Sequence, residues 1–172
     1  MNSQNIANEF CVHSADLLDQ SMIKILHCLD QLSEDQIWWR PEASMNSIGN
    51  LCVHLEGNLR QWGVVPFDDS IDQRDREQEF SADLRVTANE LKNSLETVVN
   101  EAKTAWLSLD AETLLEPTNI QGFDVTLLHA ISHTSSHFVG HAHQIISLAR
   151  LQLANEYQFQ WSPDSDRGQL PV

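Results

Sequence analysis

Apolar residues recur at three- and four-residue intervals through most of the chain, and strand-like alternation is scarce, so the pattern predicts helices. The first helix is expected from about Asn5 to Leu32, through Phe10, Leu17, Leu18, Ile25 and Leu29. "LSEDQIWWRP" follows, where Ser33 and Gln36 fit a capping box and Pro41 closes a short turn. A second helix starts near Asn46 or Ser47, either of which can cap it, and runs to about Trp62. Pro66 opens a long connection of mixed charge. Ser81 can cap a third helix, which passes Leu91, Leu95, Val98, Val99 and Trp106 and ends near Leu109. Pro117 and Gly122 mark the next break, and a fourth helix spans roughly Asp124 to Leu153. The remainder, with Pro163, Gly168 and Pro171, is expected to be an irregular tail. The fold so predicted is all-α: a four-helix bundle with long connections, one domain over residues 1–153 and a tail over 154–172.

Composition narrows the partners. At 172 residues the chain suits one domain with a proper core. A formal net charge of −15 opposes binding to nucleic acid phosphates or to an anionic membrane surface. No apolar run approaches the ~20 residues that span a bilayer, and the start, "MNSQNIANEF", lacks the pattern of a secretory signal. Cys11, Cys28 and Cys52 have no paired spacing, which fits reduced thiols in the cytoplasm.

The chemistry concentrates in "HAISHTSSHFVGHAH", which holds five of eight histidines. On a helical wheel Leu127, Leu128, Ile131, Phe138, Ala142, Ile145, Ile146 and Ala149 make the apolar face. His141 lies roughly 80° from the centre of that face and His137 roughly 120°, while His133 and His129 fall on the far side. His137 and His141 are one turn apart, the spacing that lets two imidazoles grip one metal ion. His143 sits on the opposite flank. Outside the first helix, with His13 and His27, the remaining histidine is His54, in "NSIGNLCVHLEGNLRQW". It stands roughly 110° from the centre of a core face made by Ile48, Leu51, Cys52, Leu55, Leu59 and Trp62, with Asn58 one turn on. Cys52 and His54 point apart on a helix, so they make no nucleophile–base pair, and Cys52 is expected as buried packing.

"NSIGNLCVHLEGNLRQW", "RDREQEF" and "HFVGHAHQIISLAR", with "WWRP" before them and "RGQ" near the end, resemble the DinB/YfiT-like proteins, most closely a largely uncharacterised bacterial branch. The resemblance covers about Trp38 to Gln169. It implies a four-helix bundle, commonly a homodimer, with one divalent ion held by His54, His137 and His141. His143 stands where that branch has glycine, and either changes a close helix contact or adds a polar group near the site.

Three neutral imidazoles leave an open coordination position, as in catalytic zinc sites, and suit zinc or nickel. The resemblance implies a thiol S-transferase with a low-molecular-weight thiol as co-substrate acting on a small-molecule substrate. Asn58, Gln61, His133 and His143 are the candidates for orienting ligands or touching substrate. Two other readings stay open: a non-catalytic metal- or small-molecule-binding protein, and a metal-dependent hydrolase. The hydrolase lacks an HExxH motif, and Glu56 points away from His54. Arg74 or Arg76 is expected over the cleft as an anion contact, in a solvated charged loop, or in a salt-bridged bundle end. Trp38, Trp39, Trp62 and Trp106 are expected as core and bundle-end packing.

Overall fold

The computed structural model describes residues 3–68, 70–81 and 83–160. Six α-helices, one two-stranded sheet and a few short 3-10 and π-helical turns make up the described regular structure, so the protein is mainly helical. The α-helices are α1 (Ser3–Leu29), α2 (Glu34–Trp38), α3 (Ile48–Leu59), α4 (Arg76–Glu79), α5 (Ala88–Trp106) and α6 (Leu127–Leu153). The strands β1 (Pro117–Ile120) and β2 (Phe123–Thr126) form a hairpin between α5 and α6.

Local chemistry sets the starts of these helices. The capping box at Ser33 and Gln36 is present. At α3 Ser47 is the cap, its hydroxyl accepting from the Asn50 N–H while Asn50 reaches back. Ser81 does not start a helix; its hydroxyl accepts from Asp83 N. Six residues on, Thr87 and Glu90 form the box that opens α5. The fourth long helix likewise begins three residues later than expected, because Asp124 pairs with Asn119 across the hairpin and Thr126 caps α6. The all-α expectation is corrected by that hairpin. Gln121 and Gly122 have φ of 55° and 84°, the paired positive values of a tight two-residue hairpin turn.

The long helices share one core. α1 packs on α5 and α6, and α3 packs on the same two helices. Leu18, Ile25, Leu51, Leu55, Leu95, Val98, Phe138 and Ile145 lie in this cluster and are almost fully buried. The expected faces hold with two exceptions: Leu128 is exposed and Trp39 is 40% exposed. On α6 the buried face takes in Ala130, Thr134 and Ser135 instead of Leu128.

Beyond Leu59 the backbone of α3 widens into a π-helical turn over Arg60–Val64, then tightens over Val65–Phe67. Such turns recur at functional sites because they re-aim side chains. Here Trp62 is delivered to a small second cluster with Ile120 and Ala130, which fastens the hairpin to α3 and α6. At the other end, the segment after α6 is not irregular throughout: Ala154–Glu156 forms a helical turn, and Gln31 holds the Gln158 backbone through both its N–H and its carbonyl. Residues 161–172 of the expected tail, with Pro163, Gly168 and Pro171, lie outside the described residues. Among the described residues no helix is long and apolar enough to cross a membrane.

Candidate metal centre

α3 and α6 cross so that His54, His137 and His141 meet. Their ligating atoms all lie within 4.8 Å of one another. His54 Nε2 and His137 Nε2 are 2.9 Å apart. Two nitrogens bound at 2.0–2.1 Å to one ion, with an angle between 90° and 109°, are separated by about 2.9–3.4 Å. The closest pair already has this spacing, and the widest must draw in by roughly 1.5 Å, within reach of side-chain rotation. Among the described residues this is the group of three or more donors that could hold a metal ion.

Two of the three rings have a side-chain partner on Nδ1. His54 Nδ1 lies 2.8 Å from Glu79 Oε2, and a carboxylate only accepts, so this nitrogen carries a proton, and in the neutral ring the lone pair is then on Nε2. His141 Nδ1 is 2.9 Å from the Gln144 side-chain oxygen. Carboxylates and carbonyls behind ligating histidines are the usual means of fixing their orientation. Burial pushes His137 down to about 3, assisted by His141, His54, His133 and Arg74. Burial also holds His141 below its usual value, against the Gln144 hydrogen bond and with His54 adding to the depression. Both rings are therefore neutral at pH 7, the form that ligates a metal.

Glu79 is the residue beside the triad that sequence reasoning missed. Its side chain is 5% exposed and faces both His54 and Arg74. Arg74 grips it with two hydrogen bonds, Nε to Oε1 at 2.6 Å and Nη2 to Oε2 at 2.9 Å. Burial alone would raise this carboxyl, but the hydrogen bonds from His54 and Arg74 outweigh it and hold Glu79 below the usual range. Of the three expectations for Arg74, the structure bears out the ion pair: the guanidinium is spent on Glu79 and on the Gln61 side chain. Arg76 instead sits 5.9 Å over the Phe80 ring.

The other candidates are placed as follows. Gln61 is committed to protein partners, accepting from Arg74 and Gln121 and donating to Asp72. Asn58 is buried and accepts a 2.9 Å hydrogen bond from Thr134, which ties α3 to α6 beside the triad. His133 packs on Trp62 with ring centroids 4.2 Å apart, and its ring stacks towards His137. His143 and His129 are exposed and make no ring contact with the triad. Phe80 closes one side, its ring 4.8 Å from that of His54.

Cys52 lies in the core with 0% exposure, as the wheel predicts. Burial, with Cys28 nearby, pushes its thiol up to about 12. In native protein at pH 8 Cys52 is expected to resist a disulfide-exchange reagent such as dithionitrobenzoate and to label only on unfolding. Mass-mapped labelling of Cys52 within seconds in the folded protein would contradict this burial.

No curated protein matches the chain. The model of the family described as "Protein of unknown function (DUF1572)" matches residues 5–164, nearly the whole length, and the chain belongs to that family.

Proposed function

We propose that this is a divalent-metal-binding protein of the DinB/YfiT-like kind, a four-helix bundle in which His54, His137 and His141 hold one zinc or nickel ion and present it to a low-molecular-weight thiol for transfer to an electrophile. The observation that supports it best is the convergence of three histidine side chains from two helices, with their Nε2 or Nδ1 atoms within 4.8 Å. An ion bound there supplies a Lewis acid that lowers the pKa of a thiol or water brought to it.

The chain's own residues do the rest. Glu79 and Gln144 hydrogen-bond to Nδ1 of His54 and of His141 and so help to hold the two rings in place. Phe80 lies against His54, and Trp62 packs against His133 on the other side of the site. The carboxylate beside the triad is occupied by Arg74 and His54, so it is poorly placed to act as the general base of a hydrolase; this favours transfer over hydrolysis. The homodimer implied by the resemblance, and the cytoplasmic setting read from the unpaired cysteines, belong to the same reading.

The test is conjugation of a chromogenic electrophile, such as chlorodinitrobenzene, by cysteine or glutathione, with protein loaded with zinc or nickel and with metal-stripped protein. Turnover that needs both metal and thiol is the expected result. A loaded protein that adds nothing to the uncatalysed rate with either thiol would overturn the transferase reading and leave a metal-binding protein.

A further inference from the structure

We infer that Glu79, seated over Gly57 and clamped by Arg74, is the positioning residue that fixes His54 as an Nε2 ligand, so that the triad's affinity for a divalent ion depends on a carboxylate outside the ligand set. The inference rests on the metal-binding reading above and deepens it.

Three observations carry it. The first is directional. His54 Nε2 must be unprotonated to ligate, yet it sits 2.9 Å from His137 Nε2, where either ring could hold the intervening proton. The Glu79 contact on Nδ1 removes that ambiguity for His54, because an acceptor-only group keeps the proton on the far nitrogen. Arg74 Nη2 is 3.1 Å from the same Nδ1, but both are donors converging on one carboxylate oxygen, so the contact adds no competing acceptor.

The second is that the carboxylate is held in place from every side. Asp75 caps the short helix that carries it, accepting from Gln78 N. Asn50 Nδ2 donates to the Glu79 carbonyl at 2.9 Å, and Arg40 Nη2 donates to the Phe80 carbonyl at 2.9 Å. The backbone on both sides of the Glu79 side chain is thus tied to the start of α3 and the segment before it. An ion pair that merely pinned a surface loop would need none of this alignment with His54.

The third is the floor of the seat. A Cβ built on Gly57 would lie 2.2 Å from Glu79 Oε1 and 3.1 Å from Arg74 Nε. Only a residue without a side chain lets the carboxylate approach α3 closely enough to reach His54, three residues earlier on the same helix. A cleft of about 310 Å³ lined by Glu56, Gly57, Arg74, Asp75, Gln78 and Glu79 opens beside it, so a displaced carboxylate has somewhere to go without unfolding the protein.

The experiment measures zinc affinity by chelator competition for wild type, Glu79→Gln, Gly57→Ala and the double variant, each checked for folding by circular dichroism. Long-range ¹H–¹⁵N spectra of the metal-free proteins report the His54 tautomer. Each single variant is expected to lose about 10–100-fold in affinity, the range found when the partner behind a ligating histidine is removed. The double variant should be no weaker than the worse single one, because Gly57 acts through Glu79. His54 should move from the Nδ1–H form in wild type towards a mixture in Gly57→Ala. Folded variants with wild-type affinity and an unchanged tautomer would overturn the inference. Where Gly57→Ala does not fold, Glu79→Gln, nearly the same size, carries the test. A wild-type protein that takes up no zinc would overturn the proposed function, and the tautomer comparison alone then decides the positioning role.

Discussion

Wild-type protein is expected to take up one zinc or nickel ion per chain, and His54→Ala or His137→Ala to abolish that uptake at micromolar metal. The two residues stand on different helices, so loss in both variants would locate the ion between α3 and α6 rather than on a lone helical pair. Removing one of three imidazoles leaves two donors, and the affinity should drop by more than the ~10–100-fold that loss of a supporting group costs. Stability gives a second readout. An ion that binds only the folded chain adds about 2.7 kcal/mol at a free concentration of 100 Kd. For a chain of this size that corresponds to a rise in Tm of roughly 5–11 °C. Neither alanine variant should show the rise. His129→Ala and His143→Ala, at exposed positions of the same helix, should bind and be stabilised like wild type. Equal uptake by all five proteins would sink the triad.

Four-residue spacing on one helix makes His137 and His141 neighbours whatever surrounds them, so that pair was legible from the wheel. His54 was legible as a candidate but not as a buried one. The wheel puts it on a flank, and it reaches 5% exposure because Glu79, from a helix of four residues, comes down over it. Glu79 lies 25 residues along the chain in a segment of mixed charge, where nothing local separates it from Glu77 or Asp75. Its signal was indirect: a glycine at position 57 inside an otherwise sound helix asks what approaches so closely. The start of α5 had a plainer signal that Ser81 obscured, the Thr87–Glu90 spacing of a capping box. The hairpin could not be found by periodicity, since strands of four residues allow only two alternations, and Gln-Gly is a weaker turn signal than Asn-Gly. Its consequence for the site is real, because Gln121 at its tip donates to Gln61, which in turn accepts from Arg74.

Trp106 is where substitution should cost the fold most. It is fully buried at the C-terminal end of α5, and its indole Nε1–H donates a 2.8 Å hydrogen bond to the Gly63 carbonyl in the π-helical turn. The two residues are packed to the limit: a Cβ on Gly63 would come within 3.0 Å of Trp106 Cζ2 and 2.7 Å of Leu59 Cδ1. Trp106→Ala empties this space and is expected to destabilise by about 3–5 kcal/mol, a fall in Tm of roughly 6–20 °C. Trp106→Phe separates the two contributions, because it keeps most of the apolar contact and deletes the donor. Leaving the Gly63 carbonyl buried without this partner should cost about 1–3 kcal/mol. The metal should be nearly indifferent to the milder variant. The triad hangs from His54, two turns before the π-helical turn, and from α6, neither of which uses the indole. Chemical denaturation and zinc titration of Trp106→Phe together test this division. A variant as stable as wild type would mean the carbonyl is satisfied in another way. One that lost zinc in proportion to stability would mean the π-helical turn and the triad move as one body, and the metal centre would then have to be understood as part of the core and not as a site placed upon it.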